Sequence, residues 1–101
     1  MVEPGSFRTG LFGGSSASAE TAVYADTVGP TRRMIETSNG VQPGDPAKAA
    51  AAILTALDAP RVPLRLPLGS DAVDAITDHL DGVRANITAW EKIARDTAID
   101  A

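Results

Sequence analysis

The sequence predicts an α/β fragment that is mostly helical as it stands, with about four helices, one short strand near residues 62–68 and the remnant of a strand at 1–3. Three observations lead to this class. The chain opens on Val2-Glu3-Pro4-Gly5, a strand exit with almost no strand before it. Asp45-Pro46-Ala47 is a strong helix start. From Val73 to Ala94 a single apolar stripe recurs at alternating spacings of three and four.

A residue before proline is biased to extended conformations, Pro4 fixes its own φ, and Gly5 permits angles closed to other residues, so residues 1–9 form a sharp turn leaving a strand. Residues 10–19 hold Gly10, Gly13, Gly14, Ser15, Ser16 and Ser18, too rich in Gly and Ser for a regular element, and are expected to form a mobile loop. A short helix is expected from Ser18 to about Ala25. Gly29-Pro30 interrupts before a second one, Thr31 to about Ser38, closed by Asn39-Gly40. Residues 10–40 thus form one loop-and-helix region.

Asp45 as N-cap and Pro46 at the first helical position predict a helix over 46–58, and its Ala-rich face allows close approach to a sheet or another helix. Leu64, Leu66 and Leu68 alternate in period two, but Pro63 and Pro67 remove ladder donors, which makes 62–68 an edge or partly paired strand. Ser70 is expected to cap the last helix, about 71–96 within a terminal segment 70–97. Its stripe is Val73, Ile76, Leu80, Val83, Ile87, Trp90 and Ala94. At 1.5 Å per residue that helix is about 39 Å long and needs another surface to cover it.

At 101 residues the chain is one small domain, and a folded chain of that size is expected to bury roughly two thirds of its extended surface. Of the apolar residues 18 are Ala, so larger side chains for a core are few and a partner surface is expected to help. There is no Cys, which excludes a disulfide framework, a thiolate zinc site and a thiol nucleophile, and points to a reducing, cytoplasmic setting. A net charge of −4 with scattered basic residues offers no footprint for a nucleic acid. No apolar run approaches the roughly 20 residues of a membrane span, so neither partner is expected.

The residues of the chain hold no complete catalytic constellation. Thr9-Gly10-Leu11-Phe12-Gly13-Gly14 has the wrong spacing for a dinucleotide fingerprint, and no adequate strand precedes it. His79, the sole His, lies mid-helix beside Asp78 with no supporting motif, so no Ser-His-Asp triad is drawn through it. One His and dispersed carboxylates give no metal-ligand spacing. Asp71, Asp74, Asp78 and Asp81 are read as the solvated face of the last helix. Asn86-Ile87-Thr88 is a sequon by chance within a helix.

Taken together, Pro4-Gly5 with Thr9, the loop and helices up to Asn39, Gly44-Asp45-Pro46 and Pro63-Leu64-Arg65-Leu66-Pro67-Leu68-Gly69 resemble the C-terminal part of a short-chain dehydrogenase/reductase over essentially the whole chain. The resemblance implies the C-terminal portion of a Rossmann-type doubly wound fold. It implies that Pro4 and Gly5 lie by the nicotinamide ring of NAD or NADP and that Thr9 helps hold its carboxamide. It also implies that the segment from Phe7 to Asn39 covers the substrate, with Phe7, Leu11, Phe12 and Tyr24 as contacts and Val23 and Met34 in the same apolar lid.

The family's Gly-rich cofactor turn and its Tyr-x-x-x-Lys pair, which precede the Pro-Gly turn, are missing from this sequence. Tyr24 is the only Tyr, and Val28 stands four residues on. The chain is therefore expected to supply the substrate lid and packing segment of an NAD(P)-dependent oxidoreductase without being competent alone. Its partner would be the N-terminal half or a second copy. A non-catalytic interaction or oligomerisation protein using the stripe of the last helix is the alternative.

Overall fold

The computed structural model describes residues 1–14 and 17–100. In chain order the elements are β1 (Val2–Pro4), α1 (Leu11–Gly14), a 3-10 turn (Ala22–Tyr24), α2 (Ala25–Ser38), α3 (Pro46–Leu57), β2 (Leu66–Leu68) and α4 (Ser70–Arg95).

β1 and β2 form a parallel pair, with Val2 opposite Leu66, Glu3 opposite Pro67 and Pro4 opposite Leu68. Leu66 N donates to Met1 O at 2.9 Å and Gly5 N to Leu68 O at 2.8 Å. Odd residues of β1 therefore face even residues of β2, which turns Val2 and Pro4 to the far edge of β1 and Pro67 to the far edge of β2. Pro67 has no N–H to offer there, so β2 ends the sheet on its side. Glu3 and Arg65 brace the pair from outside through two hydrogen bonds of 3.0 and 2.7 Å.

The expected strand over 62–68 is shorter than its alternating pattern. Only Leu66–Leu68 pairs, because β1 offers three partner residues, and Leu64 stays 86% exposed instead of sharing the buried face of Leu68. The expected helix over 46–58 runs Pro46–Leu57, with the Asp45 side chain accepting from Ala47 N at 2.9 Å. Gly29-Pro30 does not break α2, and the helix expected from Ser18 is replaced by the 3-10 turn. Pro30 is only the sixth residue of α2, so the bond it removes would have gone to Asp26 in the first turn, and Gly29 packs its bare backbone beside Arg33 and Glu20. Asn39 ends α2 in an extended conformation and Gly40 follows at φ 79°. Leu11–Gly14 forms one helical turn where a loop was expected. The rest of that expectation falls partly on residues 15 and 16, outside the described residues.

The chain leaves 8347 Å² accessible, against about 5,400 Å² for a compact protein of its mass, so it buries less than half of its extended surface and not the two thirds expected. Its radius of gyration, 20.4 Å, compares with about 13 Å for a compact chain of this length. Among the described residues Leu68 is the one buried large apolar side chain. Along α4, Ile76 is half-buried, while Leu80, Val83, Ile87 and Trp90 are exposed. The stripe read from the sequence is real, and among the described residues nothing covers its outer half.

Candidate functional site

The segment leaving β1 is held from three directions. Gly5 N reaches β2 at Leu68 O, and Ser6 N donates to Asp71 Oδ2 in the first turn of α4 at 2.7 Å. On the next side, Gly44 N donates to Ser6 O and Arg8 N to Gly44 O, both at 2.9 Å, which makes a parallel bridge between Phe7 and Gly44. Arg8 Nε adds a bond to Gln42 O at 3.0 Å. The side chain of Gln42 is buried, and its Oε1 has no hydrogen-bond partner among the described residues.

Gly5 is required for a reason other than the backbone freedom expected of it. Among the described glycines only Gly40 and Gly69 have positive φ. A β-carbon at Gly5 would instead fall on the Asp71 carboxylate, so the position is glycine because α4 places an acid against it. Gly44 is similar: a β-carbon there would lie 2.6 Å from Phe7 Cδ1 and 2.7 Å from Ser6 O.

Asp71 is thus more than a member of a solvated acidic face. Accepting from the Ser6 N–H, and then from the Ala72 and Asp71 amides at the start of α4, lowers its carboxyl pKa below the ordinary aspartate value, against an opposing desolvation. Ser70, expected as the cap, is the first helical residue. Gly69 occupies the N-cap without a side-chain bond, and Asp71 supplies the negative charge at the helix start.

Phe7 is half-buried and lines a cavity of about 320 Å³ with Lys48, Ala52, Leu68, Ser70 and Asp71. Pro4 and Gly5 line a separate groove with Glu3, Asp71 and Ile76. Thr9 is exposed, and its Oγ1 accepts from Leu11 N at 3.3 Å at the start of α1. Leu11 and Tyr24 are exposed and Phe12 is half-buried. The structure therefore gathers Pro4, Gly5 and Phe7 around Asp71 and Gly44, puts Thr9 and Leu11 just beyond, and sets Tyr24 on the 3-10 turn. Gly44 and Asp71 were missed as site residues. The signal for Gly44 was its place before the Asp45-Pro46 helix start, and for Asp71 its place in the first turn after a strand. Among the described residues no group of three or more His, Cys, Asp or Glu could hold a metal ion.

A parallel strand pair joined by a helical crossover, with a Pro-Gly exit from β1, belongs to an open, Rossmann-type α/β sheet, of which this chain forms part. No protein-family profile matches the chain. It is 31% identical over 100 residues to oxidoreductase BOA17 of Botryotinia fuckeliana (strain B05.10), a match that covers 97% of this chain and 36% of that protein. The crystal structure of a short-chain dehydrogenase from Streptomyces avermitilis is 60% identical and superposes with a TM-score of 0.70, over 96% of this chain and 35% of the dehydrogenase. The chain spans about a third of the length of these relatives. Its sequence and fold are similar to those of about a third of a short-chain dehydrogenase.

A nicotinamide dinucleotide asks for hydrogen-bonding groups at its carboxamide and for a cradle of N–H groups at its pyrophosphate. The exposed Thr9 hydroxyl suits the first. The turn does not suit the second: the N–H groups of Gly5, Ser6 and Arg8 already donate within the protein, that of Ser6 to the Asp71 carboxylate. The groups present offer a hydroxyl for a carboxamide and, at Gly5, Ser6 and Arg8, no free N–H for a phosphate.

Proposed function

We propose that this chain is the C-terminal portion of an NAD(P)-dependent short-chain dehydrogenase/reductase, contributing the end strand of its sheet, the turn beside the nicotinamide and a cover over the substrate. The observation that carries this reading is the asymmetry of the strand pair. Pro67 closes the outer edge of β2, while Val2 turns its N–H and C=O to the open edge of β1, the place for the next strand of a larger parallel sheet. The likeness to two oxidoreductases, each about three times as long, supports it. In this reading Pro4, Gly5 and Thr9 address the nicotinamide, and Phe7, Leu11, Phe12 and Tyr24 the substrate. The protein would work in the cytoplasm, where either NAD or NADP is at hand.

The chain by itself is proposed to be inert, because the N–H groups of Gly5, Ser6 and Arg8 are spent within the protein and its only Tyr has no Lys four residues on. Titrating the 101-residue chain into NADH or NADPH is expected to give no saturable change in nicotinamide fluorescence. Micromolar binding would overturn the claim that the rest of the fold is needed.

One observation favours a second reading, a non-catalytic interaction or oligomerisation protein: Ile87 and Trp90 stand 62% and 60% exposed on the stripe of α4. Light scattering over a range of concentrations separates the two. A mass rising to that of a dimer, and lost in an Ile87→Glu/Trp90→Glu variant, supports self-association. A monomer at every concentration excludes it.

A further inference from the structure

The first turn of α4 reaches across the end of the sheet to the turn that leaves β1. We infer that Asp71 is a positioning residue, whose carboxylate ties α4 to the Pro4-Gly5-Ser6 turn and sets the orientation of that turn's peptide planes. That the turn faces a nicotinamide rests on the proposed function. The tie itself does not.

Three features of different kinds meet at this carboxylate. Asp71 Oδ2 accepts the Ser6 N–H at 2.7 Å, a short contact of the charge-assisted kind. Gly5 leaves the space that the carboxylate fills, since a β-carbon there would overlap it. Gly69 leaves space on the other side: at φ 97° its β-carbon would come within 2.6 Å of Asp71 Oδ1. An acid that only capped its own helix would need the amides of Asp71 and Ala72 and nothing from residues 5 and 6, more than sixty positions away. The seat between two glycines holds the carboxylate against the turn in one orientation. Substitution of Asp71 therefore frees the turn even where α4 persists.

The charged groups around Asp71 are Glu3 across the groove on β1, and Asp45 and Lys48, which share the Phe7 cavity. None of them bonds to the Ser6 amide, so that amide reports on Asp71. The sign is fixed by the direction of its shift. A carboxyl whose folded pKa is depressed holds its contact at neutral pH and gives it up as pH falls through the folded value, which lies below 3.8.

The test is amide NMR on the whole 101-residue chain. The Ser6 resonance is expected to titrate with a midpoint below 3.8 and to stop titrating in Asp71→Asn. Amide exchange at Ser6 is expected to speed up about tenfold in Asp71→Ala, the scale of losing a hydrogen bond to a charged acceptor, and less in Asp71→Asn, which keeps an acceptor oxygen. Gly5→Ala should shift the Ser6 and Ala72 amides strongly in the native background and weakly in Asp71→Gly, where the carboxylate is gone. A Ser6 amide that does not titrate, or exchange unchanged in Asp71→Ala, overturns the inference. An effect confined to α4 amides also overturns it, by reducing Asp71 to a helix cap. Saturable NADH binding by the isolated chain would sink the reading that it is inert alone and leave the tie intact.

Discussion

Leu68→Ala is expected to lower the stability of the chain by about 2 to 3 kcal/mol, the lower part of the range for truncating a buried leucine. Leu68 is 8% exposed, sits opposite Pro4 and accepts the Gly5 N–H through its carbonyl. It lines the Phe7 cavity from β2 beside the start of α4, and a chain that leaves so much of its surface in solvent has little other apolar burial among the described residues to fall back on. Chemical denaturation followed by circular dichroism checks the value. An unchanged midpoint would show that the pairing of β1 with β2 contributes little to the stability of the chain.

Gly44→Ala is the second large effect, about 1 to 3 kcal/mol by overpacking. The Phe7 ring can turn away from a new methyl group, but Ser6 O, 2.7 Å from the β-carbon position, belongs to the bridge that Gly44 N itself makes. Relief by rotation alone is therefore unavailable, and the bridge must open. The expected signature is a loss of stability together with loss of exchange protection at the Gly44 and Arg8 amides. Protection equal to that of the native chain would place the steric limit elsewhere.

Which parts of this fold could be read from the residues follows from how far away each element's partners lie. α3 was legible almost to the residue because its start is decided within three positions, by the Asp45 side chain, Pro46 and the Ala47 amide. α4 was legible because a periodic stripe from Val73 to Ala94, most of a 26-residue helix, carries its own evidence. β2 was legible only in outline: its alternating leucines suggested a strand from 62, but pairing begins at Leu66, opposite Val2, a partner more than sixty residues upstream. The break expected at Gly29-Pro30 failed for another reason. Local breakers were weighed without their place in the helix, and early in α2 a proline removes only a bond of the first turn. The site shows the same division. Pro4-Gly5 marked the turn, yet the reason for Gly5 lies in Asp71, which periodicity alone had assigned to solvent.

The two edges of the small sheet also bear on how the chain meets copies of itself in a crowded or partly folded state. Open sheet edges are templates for runaway stacking, in which each added chain exposes the next site. Here Pro67 makes one edge terminal, so growth through strand pairing has only the β1 side to use. Two chains joined there would present a proline edge at both ends, and a third would find no ladder to join. Association of this kind closes at a pair, which separates a chain that forms discrete species from one that forms fibres.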